Sequence, residues 1–456
     1  MLKVAKFGGT SLASADQMKK VTNIITSDTD RKVIVVSAPG KRSGEDTKVT
    51  DLLIELGSAH LKKEETDVVL QKVIGRYEDI ATGLGLGSEI VETIEDDLRT
   101  RLLYDTANEG QFMDQLKASG EDNNAKLLAR YLQSMGYVAE YVHPQEAGLF
   151  VSDTPGNAQV LPESYDNLYK LREKKGILIF PGFFGYSKEG RLVTFPRGGS
   201  DITGSILAAG IKADLYENFT DVDSVFAANP NVVDSPVSIK RMTYREMREL
   251  SYAGFGVFHD EALIPAFKSN IPVCVKNTNN PSGSGTMIIS EREYVLNPVI
   301  GIAAQKGFST IYVRKYLMNR EVGFGRRLLE IIEDEGISYE HIPSGIDDTS
   351  VILEADQLTP EKEETILKRV KEELDVDDAY IEKGYAMIML VGEGMHETVG
   401  IASRATKAIA DQGINIEMIN QGSSEVSLSF GIDEEDVDEA IRGLYEEFFS
   451  TKEVLQ

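Results

Sequence analysis

Two short stretches set charged and hydroxyl side chains beside glycines, and each has the make-up of an anion site. Val4-Ala5-Lys6-Phe7-Gly8-Gly9-Thr10-Ser11 is an apolar strand that runs into two glycines and two hydroxyls. Glycines let backbone N–H groups close on a phosphate, and a helix start behind them adds partial positive charge. Lys6 adds a full charge at the strand end, within reach of a phosphoryl group in transfer. Because the lysine precedes the glycines, this is neither a Walker A loop nor the dinucleotide fingerprint. The second stretch is Phe195-Pro196-Arg197-Gly198-Gly199-Ser200-Asp201. Arg197 offers a fork for carboxylate or phosphate, and capping explains Ser200 or Asp201 but not the Arg-Gly-Gly ahead of them. A further polar stretch, Thr220-Asp221-Val222-Asp223, follows the strand Asp214–Phe219, at the kind of strand end where open α/β sheets place ligands. Glu121, in Ser119-Gly120-Glu121, reads as a carboxylate just ahead of a helix, where a cap is the usual explanation.

Strands and helices must hold these groups. Ser14 and Gln17 have capping-box spacing, with Met18, Val21, Ile24 and Ile25 as a helical stripe. Lys32–Ala38 is an apolar run of strand length, suited to burial on both faces of a parallel sheet. Pro39–Lys48 reads as a Gly-containing charged loop, and Thr50 or Asp51 as the cap of a helix through Leu56. From Glu64 to Leu116 the pattern is helical, with turns near Gly83-Leu84-Gly85 and Gly110. Next come a helix Asp122–Met135, a strand Tyr137–Val142, a helix Tyr165–Lys174 and a strand Gly176–Phe180. Beyond the Arg-Gly-Gly segment lie a helix Ile202–Ala209 and a strand Asp214–Phe219. Helices at Tyr244–Tyr252 and His259–Lys268 precede strands Val273–Val275 and Thr286–Ser290. The alternation to about residue 290 predicts a three-layer α/β/α sandwich with a mainly parallel sheet.

Near Asn297-Pro298 the pattern changes. Strands Ser309–Arg314, Tyr339–Ile342, Ser350–Ala355 and Ala379–Ile381, with helices Phe324–Glu335 and Pro360–Leu374, make a ferredoxin-like βαββαβ unit. A second copy comes after it: strands Ala386–Val391, Asn415–Asn420 and Glu425–Phe430, with helices Thr398–Gln412 and Glu434–Phe449. Gly336-Ile337-Ser338 and Gly413-Ile414-Asn415 occupy the same turn in each copy. The spare strand Ile300–Gln305 is expected to complete the second copy's sheet. The predicted domains are 1–296, 297–383 and 384–456.

Composition narrows the function. The chain has 456 residues, a net charge of −26 and one cysteine, Cys274. So acidic a chain argues against nucleic acid or an anionic membrane as partner. A single cysteine in an apolar run fits a reducing compartment, and no run is long enough to span a membrane. With no leader pattern ahead of the first strand, a cytoplasmic location is expected. The few His and Cys residues offer no zinc-type constellation.

Together these motifs resemble the aspartokinases, monofunctional members of the amino acid kinase family with tandem ACT domains. The likeness rests on Lys-Phe-Gly-Gly-Thr-Ser (6–11), Val-Thr-Asp (49–51), Gly-Glu (120–121), Arg-Gly-Gly-Ser-Asp (197–201), Phe-Thr-Asp-Val (219–222) and the Gly-Ile-Asn turn. It implies transfer of the ATP γ-phosphoryl group to the β-carboxylate of L-aspartate, the first step toward lysine, threonine and methionine. Carried over by motif, Lys6 would stabilise the transferring group and Gly8, Gly9, Thr10 and Ser11 would cradle phosphate. Asp201 would lie at the reacting centre. Thr50, Glu121, Phe184, Arg197 and Ser200 would hold aspartate, with Glu121 on the α-ammonium. Thr220 and Asp221 would contact nucleotide, alongside Phe226 and Asn231, which stand where the family often has Tyr and Arg. The family's Phe-Gly-Ala-Lys appears as Phe255-Gly256-Val257-Phe258, leaving Lys276 to supply that charge. Mg²⁺ would ride on the ATP phosphates, with no protein metal site. By resemblance to lysine-sensitive members, Met318, Gly323, Phe324, Glu340, Ser344 and Asp347 would form an effector site. A homodimer or dimer of dimers is expected. Another kinase of the same fold, or an inactive amino-acid sensor, is the alternative.

Overall fold

The computed structural model describes residues 1–256, 258–259, 261–292 and 298–450. The expected boundary at 296/297, and Val257, lie outside the described residues. Two compact units emerge. One holds residues 1–225, 238–247 and 258–292; the other holds 226–237, 248–256 and 298–450.

The first unit is built on an eight-stranded sheet. From edge to edge it runs Ala139–Tyr141, Ile177–Pro181, Arg31–Val36, Lys3–Phe7, Leu215–Thr220, Val273–Asn277, Thr286–Ile289 and Arg241–Thr243. Every pairing is parallel except that of Thr286–Ile289 with Val273–Asn277. A parallel sheet covered by helices buries both faces, and Val33–Val36 are indeed all fully buried. Strand alternation then sorts the side chains. Ala5, Phe7, Ile34, Val36 and Phe219 join the large core with helices Ala15–Thr26, Val49–Leu61, Asp67–Gly83 and part of Glu109–Ser134. Lys6, Tyr216 and Asn218 therefore face the other layer, where the helix Gly199–Gly210 lies. The chain leaves Lys3–Phe7 for Arg31–Val36 on one side and later returns to Leu215–Thr220 on the other. That order makes the C-terminal end of the first strand the switch point, where α/β sheets bind ligands.

At two helix starts the difference from the sequence expectation bears on the site. The helix over Thr50 and Asp51 begins at Val49, with Lys48 at its N-cap, so Thr50 sits in the first turn rather than capping it. More consequentially, Ser119-Gly120-Glu121 precedes no helix: it lies inside one long helix, Glu109–Ser134. Gly120 is there for space, since a Cβ on it would stand 2.8 Å from the Cβ of Ala38 and 3.2 Å from Leu53 Cδ1. Alanine normally stabilises a helix interior over glycine by about 0.5–1 kcal/mol, but overpacking costs ~1–3 kcal/mol. Gly120→Ala is accordingly expected to lower the thermal midpoint of this unit rather than raise it; a rise in a calorimetric scan would contradict the close approach.

The second unit centres on one antiparallel five-stranded sheet, in the order Asp348–Glu354, Gly301–Arg314, Asp378–Val391, Ser427–Asp433, Met418–Gln421. The expected breaks at 306–308 and 382–385 are irregularities within two long strands, not ends of strands. Gly307 and Gly384 take φ of +88° and +80°, which lets the strands bend without stopping. Residues 301–305 pair with Met387–Val391 of the second copy while 308–314 pair with the first. The two repeats thus share a continuous sheet. Tyr339–Ile342 is not a strand; it makes one isolated bridge, His341 to Ile352. The helices Phe324–Asp334, Pro360–Leu374, Ile401–Asp411 and Val437–Phe449 match the expected positions. The segment 226–237, ahead of the repeats, joins this unit through hydrogen bonds of its main chain. The Ile302 N–H donates to Ala227 O at 2.8 Å, and the Val237 N–H donates to the Tyr445 hydroxyl at 2.9 Å.

Candidate active site

Lys6 projects from the first strand toward the start of the helix Gly199–Gly210, and its Nζ lies 2.6 Å from Asp201 Oδ1. Asn218, the register partner of Lys6 on the neighbouring strand, donates from Nδ2 to the same oxygen at 2.5 Å. The Tyr216 hydroxyl donates to the Asp201 carbonyl at 3.3 Å. Strand alternation and strand pairing thus hold Asp201 from two directions.

Beside this cluster opens a cleft of about 460 Å³, lined among others by Ser37, Thr50, Lys117, Glu121, Phe183, Arg197, Ser200 and Asp201. Thr50, Glu121, Arg197 and Ser200, four of the five residues expected to hold substrate, meet there. Glu121 is 5% exposed, and its Oε2 has no hydrogen-bond partner among the described residues. Burial pushes its pKa up to about 8, although the backbone N–H groups of Ala38 and Glu121 and the charge of Lys6 act to lower it. Arg197 is exposed at the rim and pairs with no carboxylate among the described residues. Phe184 is placed differently. Its side chain is buried with Ala118 and Leu192, and Phe183, with φ of +79°, lines the cleft in its stead. The Phe183 N–H is fixed by Thr203 Oγ1 at 3.0 Å.

The glycine turn closes against the neighbouring strand end. Gly8 N–H donates to Phe219 O at 3.0 Å and Gly40 N–H to Gly9 O at 2.8 Å. The backbones of Gly9 and Gly40 touch; a Cβ on Gly40 would lie 2.5 Å from Gly9 C. A single 3₁₀ turn, Gly9–Leu12, continues the chain here, and the α-helix starts only at Ala15, capped by Ser14. The helix dipole at this site therefore belongs to Gly199–Gly210, whose first residues line the cleft. Ser11 is buried, its hydroxyl 2.7 Å from that of Thr278, while Thr10 is exposed.

Thr220 ends the adjacent strand opposite Asn277, with Phe219 opposite Lys276, and Asp221 follows, its carbonyl accepting from Asn277 Nδ2 at 3.3 Å. Thr278 N–H donates to Thr220 O at 2.9 Å, and Lys276 Nζ stands 5.9 Å from the centroid of the Phe219 ring. Phe226 and Asn231 belong to the other compact unit. In that unit Met318 and Phe324 share a buried cluster, and Gly323 caps the helix that Phe324 begins. Asp347 Oδ1 accepts the Leu317 N–H at 2.7 Å, beside Met318. Ser344 is 3.0 Å from the Thr349 hydroxyl. Glu340 is half-buried, and burial together with Glu354 raises its pKa.

The profile of the amino acid kinase family matches residues 1–277, and that of the ACT domain matches 388–448. Aspartokinase 3 of Bacillus subtilis (strain 168) is 57% identical over 449 residues, covering 98% of this chain and 99% of its own. The chain belongs to the aspartokinases. Among solved structures, the Clostridium acetobutylicum aspartate kinase superposes with a TM-score of 0.86 at 37% identity, covering 98% of this chain and 100% of the other. Escherichia coli aspartokinase III, solved with aspartate and ADP, has the same fold: TM-score 0.79 at 24% identity, over 98% of this chain and 100% of that one.

Three side chains in or beside this aspartokinase cleft escape the motif reading. Lys117, held by Asp114 Oδ1 at 2.8 Å, lies one helical turn before Glu121. The periodicity shows this only when the helix is read as continuous from Glu109. Ser37 lies within the run Lys32–Ala38 and reads as part of that strand, which in fact stops at Val36. Asn218 is one of several polar residues in the strand Leu215–Thr220, and only its register with Lys6 singles it out.

Proposed function

We propose that this aspartokinase transfers the γ-phosphoryl group of ATP to the β-carboxylate of L-aspartate, giving 4-phospho-L-aspartate and ADP. The observation that carries the reading is the buried Glu121 carboxylate, with an oxygen unpartnered among the described residues, in one cleft with Arg197 and the Lys6–Asp201 pair. An amino dicarboxylate needs that pattern: a carboxylate for its ammonium, a guanidinium fork for one carboxylate and a second cation where charge builds. Thr50 and Ser200 supply hydroxyls, and Phe183 a wall. The acceptor carboxylate is already ionised at neutral pH, so no general base is required and catalysis reduces to positioning and charge neutralisation. Lys6 serves the transferring group, Asp201 fixes Lys6, and Asn218 fixes Asp201. Gly8, Gly9, Thr10 and Ser11 face the phosphates, with Thr220, Asp221 and Lys276 on the nucleoside side.

No group of three or more His, Cys, Asp or Glu suited to a metal occurs among the described residues, and Asp201 is already engaged by Lys6. We take Mg²⁺ to arrive with the ATP phosphates, where it would neutralise their charge. No helix among the described residues is long and apolar enough to cross a membrane; the cytoplasmic assignment rests on the likeness to the Bacillus subtilis aspartokinase. It is read as a homodimer or dimer of dimers, regulated through its ACT unit by lysine, with or without threonine.

The test is ATP-dependent hydroxamate formation with L-aspartate, Mg²⁺ present, with and without lysine. Turnover suppressed by lysine is expected, and no turnover by folded protein would refute the assignment. Asp347→Ala removes the carboxylate that orders the 315–318 turn. The lysine concentration for half-inhibition should rise at least tenfold while uninhibited kcat stays within about twofold. Unchanged inhibition would remove Asp347 from the effector site.

A further inference from the structure

Arg76 lies on the helix Asp67–Gly83, outside both motifs and cleft, and only 4% of it is exposed. Its guanidinium donates to Gly40 O at 2.6 Å and to Thr47 O at 2.7 Å, the two ends of the loop over 40–47. Nη1 also pairs with Asp46 at 3.2 Å. Asp46 in turn accepts from the backbone and guanidinium of Arg42, whose other arm pairs with Asp79 at 3.0 Å. Arg42 is the main cause holding the Asp46 carboxyl well below its usual range. Otherwise residues 41–45 are exposed and belong to no regular element. Yet Gly40 packs on the Gly9–Thr10 backbone, and Thr47 leads through Lys48 into the helix that carries Thr50.

We propose that Arg76 is a positioning residue for phosphoryl transfer: by bracing both ends of the 40–47 loop, it sets the glycine turn and Thr50 in register with each other. The inference rests on the aspartokinase reading of the site. A buried guanidinium bonded to two main-chain carbonyls is a strong, directional brace, and a lysine cannot reproduce its fork. Loss of that brace lets Gly40 leave Gly9, so the phosphate turn and the acceptor side lose their common reference, and misplacement of about 1 Å is enough to slow reaction ~10²-fold.

Arg76→Met, Arg76→Lys and Asp46→Asn are compared with wild type by steady-state kinetics, direct ADP binding and trypsin cleavage after Lys41, Arg42 and Lys48. For Arg76→Met, kcat should fall 10- to 100-fold and the KM for ATP and the ADP Kd should rise several-fold. Loop cleavage should be at least tenfold faster. Arg76→Lys should recover little of this. Asp46→Asn, which leaves both carbonyl bonds in place, should free the loop tip with a smaller loss of rate and serves if Arg76→Met does not fold. A purely structural role would lower the melting temperature yet leave kcat and both KM values within twofold; that result, or cleavage at the wild-type rate, overturns the proposal. If wild type itself turns over no aspartate, the functional reading fails on its own. ADP affinity and loop cleavage still decide the brace.

Discussion

Glu121→Gln should raise the KM for aspartate by about two orders of magnitude, with a smaller change in the KM for ATP. A charge-assisted bond from a buried carboxylate to an ammonium, lost on replacement by an amide, is worth ~1.5–3 kcal/mol, or ~10- to 150-fold. The pH profile distinguishes this from a packing effect. In the free protein burial pushes the Glu121 pKa up to about 8, so near neutrality it is mostly protonated and must ionise to receive an ammonium. In wild type kcat/KM for aspartate should therefore climb with pH and level off above about 8, while the Gln variant lacks that limb. Stability should move the opposite way. A group whose folded pKa lies above its ordinary 4.5 stabilises the fold below that value and loses the contribution as pH rises through about 8. The span of ~3.5 units sets a ceiling of about 5 kcal/mol. Glu121→Gln should thus melt higher than wild type at pH 9 and show less advantage at pH 5. Equal melting at both pH values, with an unaltered aspartate KM, would remove Glu121 from the substrate site.

Lys6→Met should cost about 10³-fold in kcat with ADP affinity within about tenfold of wild type. A preorganised cation aimed at charge that develops in the transition state is worth ~10²–10³-fold, about 2.7–4 kcal/mol. Removing it also leaves Asp201, 2.6 Å away, as an uncompensated carboxylate beside incoming phosphate. The double variant Lys6→Met/Asp201→Asn should accordingly lose less than the product of the two single losses. Additive losses in single-turnover rates would mean that the pair does not act as a unit.

The motifs single out Lys6, Arg197, Ser200 and Asp201 because glycine-flanked charges have few other uses, and the structure brings the last three into one cleft with Lys6 paired to Asp201. Glu121 is recognisable in the sequence as a carboxylate of interest, but its setting is not. Ser119-Gly120 has the composition of a helix start, and only the third dimension shows that Gly120 clears room for Ala38. Phe183 and Phe184 are indistinguishable in a string of apolar residues; a φ of +79° at Phe183 decides which ring reaches the cleft. In the C-terminal unit, glycines at 307 and 384 read as turns between strands, because one residue with positive φ looks the same whether a strand stops or bends. Helices there are legible, since each has a clear apolar stripe.

That the strands Gly301–Arg314 and Asp378–Val391 each traverse both repeats has a practical outcome for truncation. A chain cut back to the first repeat would keep 301–305 but lose 387–391, presenting an unsatisfied strand edge, the kind that recruits other chains into aggregates. The repeats should accordingly melt in one calorimetric transition, and the minimal soluble fragment of this region should be the pair rather than either half.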